Sequence, residues 1–148
     1  MMRSHTLLST VALAGMLACA PFAALAMDHQ TAAPEGAEVY FISPEEGATL
    51  SNPVTIQFGL RGMGVAPAGV EQMNTGHHHL LINMPIDQVD LEAALPSDDN
   101  HRHFGGGQTE VTLDLPAGTH TLQLLVGDHN HIPHNPPIFS NVITVTVE

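Results

Sequence analysis

Three histidine pairs share one spacing. His77 and His79, His101 and His103, and His129 and His131 each read His-x-His. Neutral imidazole is a ligand for zinc, copper and nickel, and residues two apart on a strand project to the same face. Each pair can therefore offer two imidazoles to one ion where its segment is extended. His134 follows the third pair, and Asp128 precedes it as a ligand or as the partner that holds an imidazole tautomer. Pro133, Pro136 and Pro137 stiffen that loop and reduce the entropy lost on binding. Copper or zinc is the metal this chemistry suits. Met63, Met73 and Met84 would add soft ligands for Cu(I), although scattered methionines ordinarily just pack.

The remaining histidines read differently. His78 shares a face with Leu80, Ile82 and Met84 and reads as a structural core residue. His120 is also expected to be structural. Gly105-Gly106-Gly107 lacks the following Lys-Ser/Thr of a phosphate loop and is better suited to letting backbone pass close to the histidines. No Gly-x-Ser-x-Gly or His-Glu-x-x-His motif is present.

These side chains need elements to position them. Short β-type runs separated by turn signals fill the chain from Ala37 onward: 37–42, 53–60, 78–84, 109–115, 119–126 and 140–147. Val54, Ile56, Phe58 and Leu60 share one face of the second run, and Val111, Leu113 and Leu115 one face of the fourth. Ile86 to Leu95 is consistent with a helical turn or with a weak edge strand. Six or seven short strands predict an all-β fold, an immunoglobulin-like antiparallel β-sandwich. Leu115-Pro116-Ala117-Gly118-Thr119-His120 resembles the corner before the sixth strand of such domains, with His120 where a tyrosine commonly sits. Pro116-Ala117-Gly118 also reads as a tight hairpin, pairing 109–115 with 119–126. That pairing sets His101–Gly107 beside Gly127–His134 at one pole. The sandwich topology adds His77, His78 and His79 to that pole and leaves His120 roughly 20 Å away at ~3.3 Å per residue.

The N-terminus carries a different signal. Arg3 precedes an apolar run from Leu7 to Leu17, and Ala24-Leu25-Ala26 offers a signal-peptidase site. Residues 1–26 are read as a signal peptide, 27–36 as a flexible leader and 37–148 as one domain, exported to the periplasm or beyond. Lipidation at Cys19 fits less well, because Met16-Leu17-Ala18 is a poor lipobox. Cleavage after Ala26 removes the only cysteine and exposes Met27-Asp28-His29. The new amine, two backbone amides and the His29 imidazole would make a square-planar site for Cu(II). The mature chain keeps Arg61 and Arg102 against 15 acidic residues. Such a surface repels phosphate backbones and anionic lipid, so nucleic acid and membrane insertion are excluded and cations are the natural partners.

The segments Gly76-His77-His78-His79-Leu80-Leu81-Ile82-Asn83, His103-Phe104-Gly105-Gly106-Gly107-Gln108-Thr109-Glu110 and Gly127-Asp128-His129-Asn130-His131-Ile132-Pro133-His134 resemble a bacterial family of secreted domains. So does Leu115 to Leu124. The family is the domain of unknown function 4399, and the resemblance covers about residues 75–147. It implies an exported bacterial domain and supplies no reaction. Three functions are compatible with the residues. The first is an exported metal-binding domain that sequesters or delivers copper or zinc. The second is an enzyme with an open metal position, to which copper–zinc superoxide dismutases are an analogy only. The third is a metal-free module whose histidines switch a contact at acidic pH.

Overall fold

A computed structural model describes residues 30–148. The signal segment, Cys19 and the Met27-Asp28-His29 triplet lie outside the described residues. Nine strands follow in order: β1 Glu38–Ser43, β2 Thr49–Leu50, β3 Val54–Arg61, β4 Gly64–Val65, β5 Thr75–Ile82, β6 His101–His103, β7 Glu110–Leu113, β8 Gly118–Gly127 and β9 Ile143–Val147. The stretch after β5 contributes a single 3-10 turn, Ile86–Gln88. Among the described residues no helix is long and apolar enough to cross a membrane.

The strands form two sheets. One is β1-β3-β7; the other runs β2-β9-β8-β5-β4, with β6 also paired to β5. This is the strand order of an immunoglobulin-like sandwich. Val54, Ile56 and Phe58 alternate inward from β3 with Thr55 outward, and meet Leu80, Ile82, Leu122, Leu124, Val126, Val145 and Val147 from the larger sheet. Burial alternates along β1 and β3 because only one face of their sheet is covered, and on β1 the outward positions Tyr40 and Ile42 are apolar as well.

β5 and β8 differ. From Gly76 to Ile82 and from Leu122 to Gly127 every residue is buried, so both faces of the central pair are covered. The inner face meets the core. The outer face lies under the segment 83–100 and the loop 128–132, while 133–140 runs along the edge of β8, and Leu81, Leu125 and Gln123 are buried there. Leu95 N–H donates to the His131 carbonyl at 2.9 Å, joining these two covering segments. The described part of the expected flexible leader is tied down as well. Gln30 Nε2 donates to the carbonyls of Leu91 (2.6 Å) and Pro133 (3.2 Å), and Ala33 and Asn135 are hydrogen-bonded at 3.0 Å.

One expectation is overturned. Pro116-Ala117-Gly118 is not a hairpin, because β7 pairs with β3 and β8 pairs with β5 and β9. The turn carries the chain from one sheet to the other. His120 braces it, with Nε2 bonded to the Pro116 carbonyl at 2.7 Å and Nδ1 to Asn83 Nδ2 at 3.0 Å. The end of β8 still lies at the histidine pole, because it pairs directly with the start of β5: His77 lies opposite Gly127.

Candidate metal centre

The centre is built on the outer face of β5. Strand alternation sends His77, His79 and Leu81 outward and His78, Leu80 and Ile82 inward. β6 runs antiparallel to β5 with His103 opposite His79 and His101 opposite Leu81. Partners directly opposite share a face, so His103 joins His77 and His79. His131 completes the group from the loop after β8. One nitrogen from each of His77, His79, His103 and His131 lies within 4.8 Å of the other three. His77 Nε2 is 3.0 Å from His79 Nε2 and 3.1 Å from His131 Nδ1. The rings of His103 and His131 meet edge to face at 4.6 Å between centroids.

These separations suit a cation. A tetrahedral ion with bonds near 2.0 Å holds its nitrogens about 3.3 Å apart, a spacing within the 3.0 to 4.8 Å span of these donors. His77 and His79 are fully buried, while His103 and His131 are half-buried and leave one side nearer solvent. Nδ1 of His77, Nδ1 of His79 and Nε2 of His103 are buried without hydrogen-bond partners. The two Nδ1 atoms stand on the far side of their rings from the Nε2 pair that meets at 3.0 Å, so it is the converging nitrogens, each with a lone pair to offer when its ring is neutral, that a shared cation would draw together.

Burial and crowding hold His77, His79 and His103 in the neutral form. Burial, followed by the neighbouring His131 and His103, lowers the pKa of His77 from 6.5 to about 4, against a small opposing pull from Asp128. Burial, then His77, His103 and His131, pushes His79 down to about 2. His103 is lowered by burial and by His131. Neutral imidazole is the form that ligates.

Two glycines make room for the rings. A Cβ on Gly127 would stand 2.8 Å from His79 Nε2, and one on Gly105 would stand 2.3 Å from His103 Cε1. The sequence pointed to Gly105 as a place of close backbone approach. It gave no sign of Gly127, whose role follows from its position opposite His77.

The other candidates lie elsewhere. Asp128 is buried and shapes the loop rather than joining the group: its Oδ1 accepts from Asn130 N–H (2.8 Å) and Ile132 N–H (3.0 Å), and its Oδ2 from Thr31 Oγ1 (2.7 Å). With His131 N–H donating to the Asp128 carbonyl at 2.9 Å, this turn holds His131 at φ 66°, a left-handed conformation rare for a non-glycine residue. His129 is half-buried and bonded to Asn130 Nδ2 at 2.9 Å, outside the group. His101 is one pair further along β6, and its Nδ1 faces Asp98 Oδ1 at 3.0 Å, which lowers the Asp98 pKa. His134 is fully buried over Gly76, on the inner face of β5. His78 is also inward, its ring 4.7 Å from that of Phe58. Burial lowers its pKa to about 4, opposed by the Gly59 and Gln108 backbone, and neither of its nitrogens makes a well-formed hydrogen bond.

The family described as Domain of unknown function (DUF4399) matches residues 56–148, from β3 through β9 and including every residue of the four-histidine group. No curated protein and no solved structure matches the chain.

Proposed function

Since the chain belongs to the DUF4399 family, whose description names no reaction, we propose a function from the site itself: an exported metal-binding domain that sequesters or delivers a transition-metal ion. The observation that carries this reading is the convergence of His77, His79, His103 and His131, with donor atoms within 4.8 Å of one another. Three of the four stand on paired strands, so their geometry is largely set before an ion arrives. Copper is the first choice and zinc the second. An all-imidazole set without thiolate suits both, and Cu(II) binds nitrogen donors more tightly than other divalent first-row ions. Export rests on the N-terminal apolar run and the Ala24-Leu25-Ala26 site. The acidic surface, net −12 for the whole chain, favours approach of cations.

The test is elemental analysis of untagged protein exported through its own signal, paired with intact mass. Roughly one equivalent of zinc, or one of copper beyond that held by a Met27-Asp28-His29 terminus, is expected, released by acid as the imidazoles protonate. His131→Ala should lose the ion, whereas His129→Ala should keep it. A mass beginning at Met27 would establish cleavage after Ala26. No bound metal, and none taken up from micromolar copper or zinc, would sink the proposal.

A further inference from the structure

A second feature lies in the groove beside β1. Among the described residues β1 is hydrogen-bonded on one side only, to β3, and so presents a free edge. Between that edge and the segment Phe139–Ile143 runs a groove of about 450 Å³. Exposed apolar side chains line it: Ile42 is 57% exposed, Phe139 45% and Tyr40 38%, three of the seven large apolar residues that stand exposed among those described. Isolated exposed apolar residues are ordinary, but a group of this kind beside an unpaired strand marks a binding surface.

The charge of the rim selects the occupant. Glu38, Glu45 and Glu46 line the groove, and no lysine or arginine does. Glu38 pairs with Arg61, and Glu46 accepts from Thr144 N–H at 2.6 Å, so the local balance remains acidic. A second copy of the chain is disfavoured, because edge-to-edge pairing would set the same glutamates against each other in molecules of net charge −12. We propose that the groove takes an extended, positively charged segment of a partner protein, added as a strand to the free edge of β1. Main-chain hydrogen bonds would supply affinity, alternate apolar side chains would fill the groove, and basic side chains would meet the glutamate rim. The bulge between Phe41 and Ser43 and the buried Pro44 end the available edge. The seat therefore fits about five residues, or roughly 17 Å of strand.

The proposal is independent of the metal centre and is tested on the mature protein as isolated. The probe is a capped peptide alternating valine and lysine, compared with one alternating valine and glutamate. Amide chemical shifts should change over Glu38–Ile42 and Phe139–Ile143 with the lysine peptide alone, and less so as salt is raised. Ile42→Lys and Glu45→Lys, both at exposed positions, should each weaken binding about tenfold without lowering the unfolding midpoint. Equal binding of the two peptides, shifts centred elsewhere, or no binding at millimolar peptide would overturn the proposal. So would a peptide-free dimer whose β1 amides are protected, which would identify a second copy as the occupant.

Discussion

The two faces of β5 carry the same residue type to opposite ends. On the outer face, His77 and His79 meet His103 and His131 in a polar group roofed by loops. On the inner face, His78 sits between two sheets with its ring against Phe58, and Phe58 in turn lies 4.9 Å from Phe104. Each of these three consecutive histidines is at most 1% exposed. Burial therefore does not distinguish a ligand from a core residue. The number of other imidazoles on the same face does.

The largest expected effect comes from breaking the outer face. His79→Ala should weaken copper or zinc binding at least about a hundredfold, read by competition with a chromophoric chelator. His78→Ala should leave that affinity within a few-fold while costing about 2–4 kcal/mol in urea unfolding, as a cavity opens against Phe58. His78→Leu should recover most of that loss, because it fills the space and removes two nitrogens that lack partners. Equal losses of metal affinity on both faces would erase the distinction drawn here.

Gly127→Ala sharpens the comparison without touching a ligand. Its methyl group would press on His79 Nε2, so metal affinity should drop about tenfold. His78, on the other face, should keep its ring contact with Phe58, observable as unchanged ring-proton shifts. Unaltered affinity would mean that the His79 ring can turn aside at no cost.

Acid should act on both faces of the metal-free protein. In the unfolded chain these imidazoles protonate near 6.5, whereas in the fold His77 and His78 stay neutral to about 4 and His79 to about 2. The unfolded state then binds more protons within that window. Stability is full above pH 6.5 and is lost as pH falls, towards 4 for His77 and His78 and on towards 2 for His79. Bound metal competes with protons at the outer face only, so loading should move the acid midpoint of unfolding downward. His78→Leu should make the metal-free profile shallower by one group. The smallest effect is at His129→Ala, which should leave the metal stoichiometry unchanged.

Much of this was legible in the residues. Alternation in Val54 to Leu60 and the apolar runs of β5 and β8 predicted strands. The period of two placed His77 with His79 and turned His78 away before any topology was known. The third pair shows where that reasoning stops. His129 and His131 share the His-x-His spacing but lie in a loop, where spacing fixes no direction. The Asp128 turn, with His131 at φ 66°, aims only one of them at the group. His101 and His103 do share a face, yet their pairing partners, Leu81 and His79, decide which one meets other imidazoles.

The sequence by itself determined the six longer strands but not β2, β4 or β6, together with the acidic surface and the supply of imidazoles, because these follow from local period and composition. Only the tertiary structure decided that Pro116-Ala117-Gly118 crosses between sheets, that Asp128 holds a loop, and that four particular histidines converge. Those outcomes depend on register and on contacts between segments far apart in the chain. No local pattern encodes which strand lies beside which, and a shift of one residue in pairing would have turned a different set of side chains towards the site.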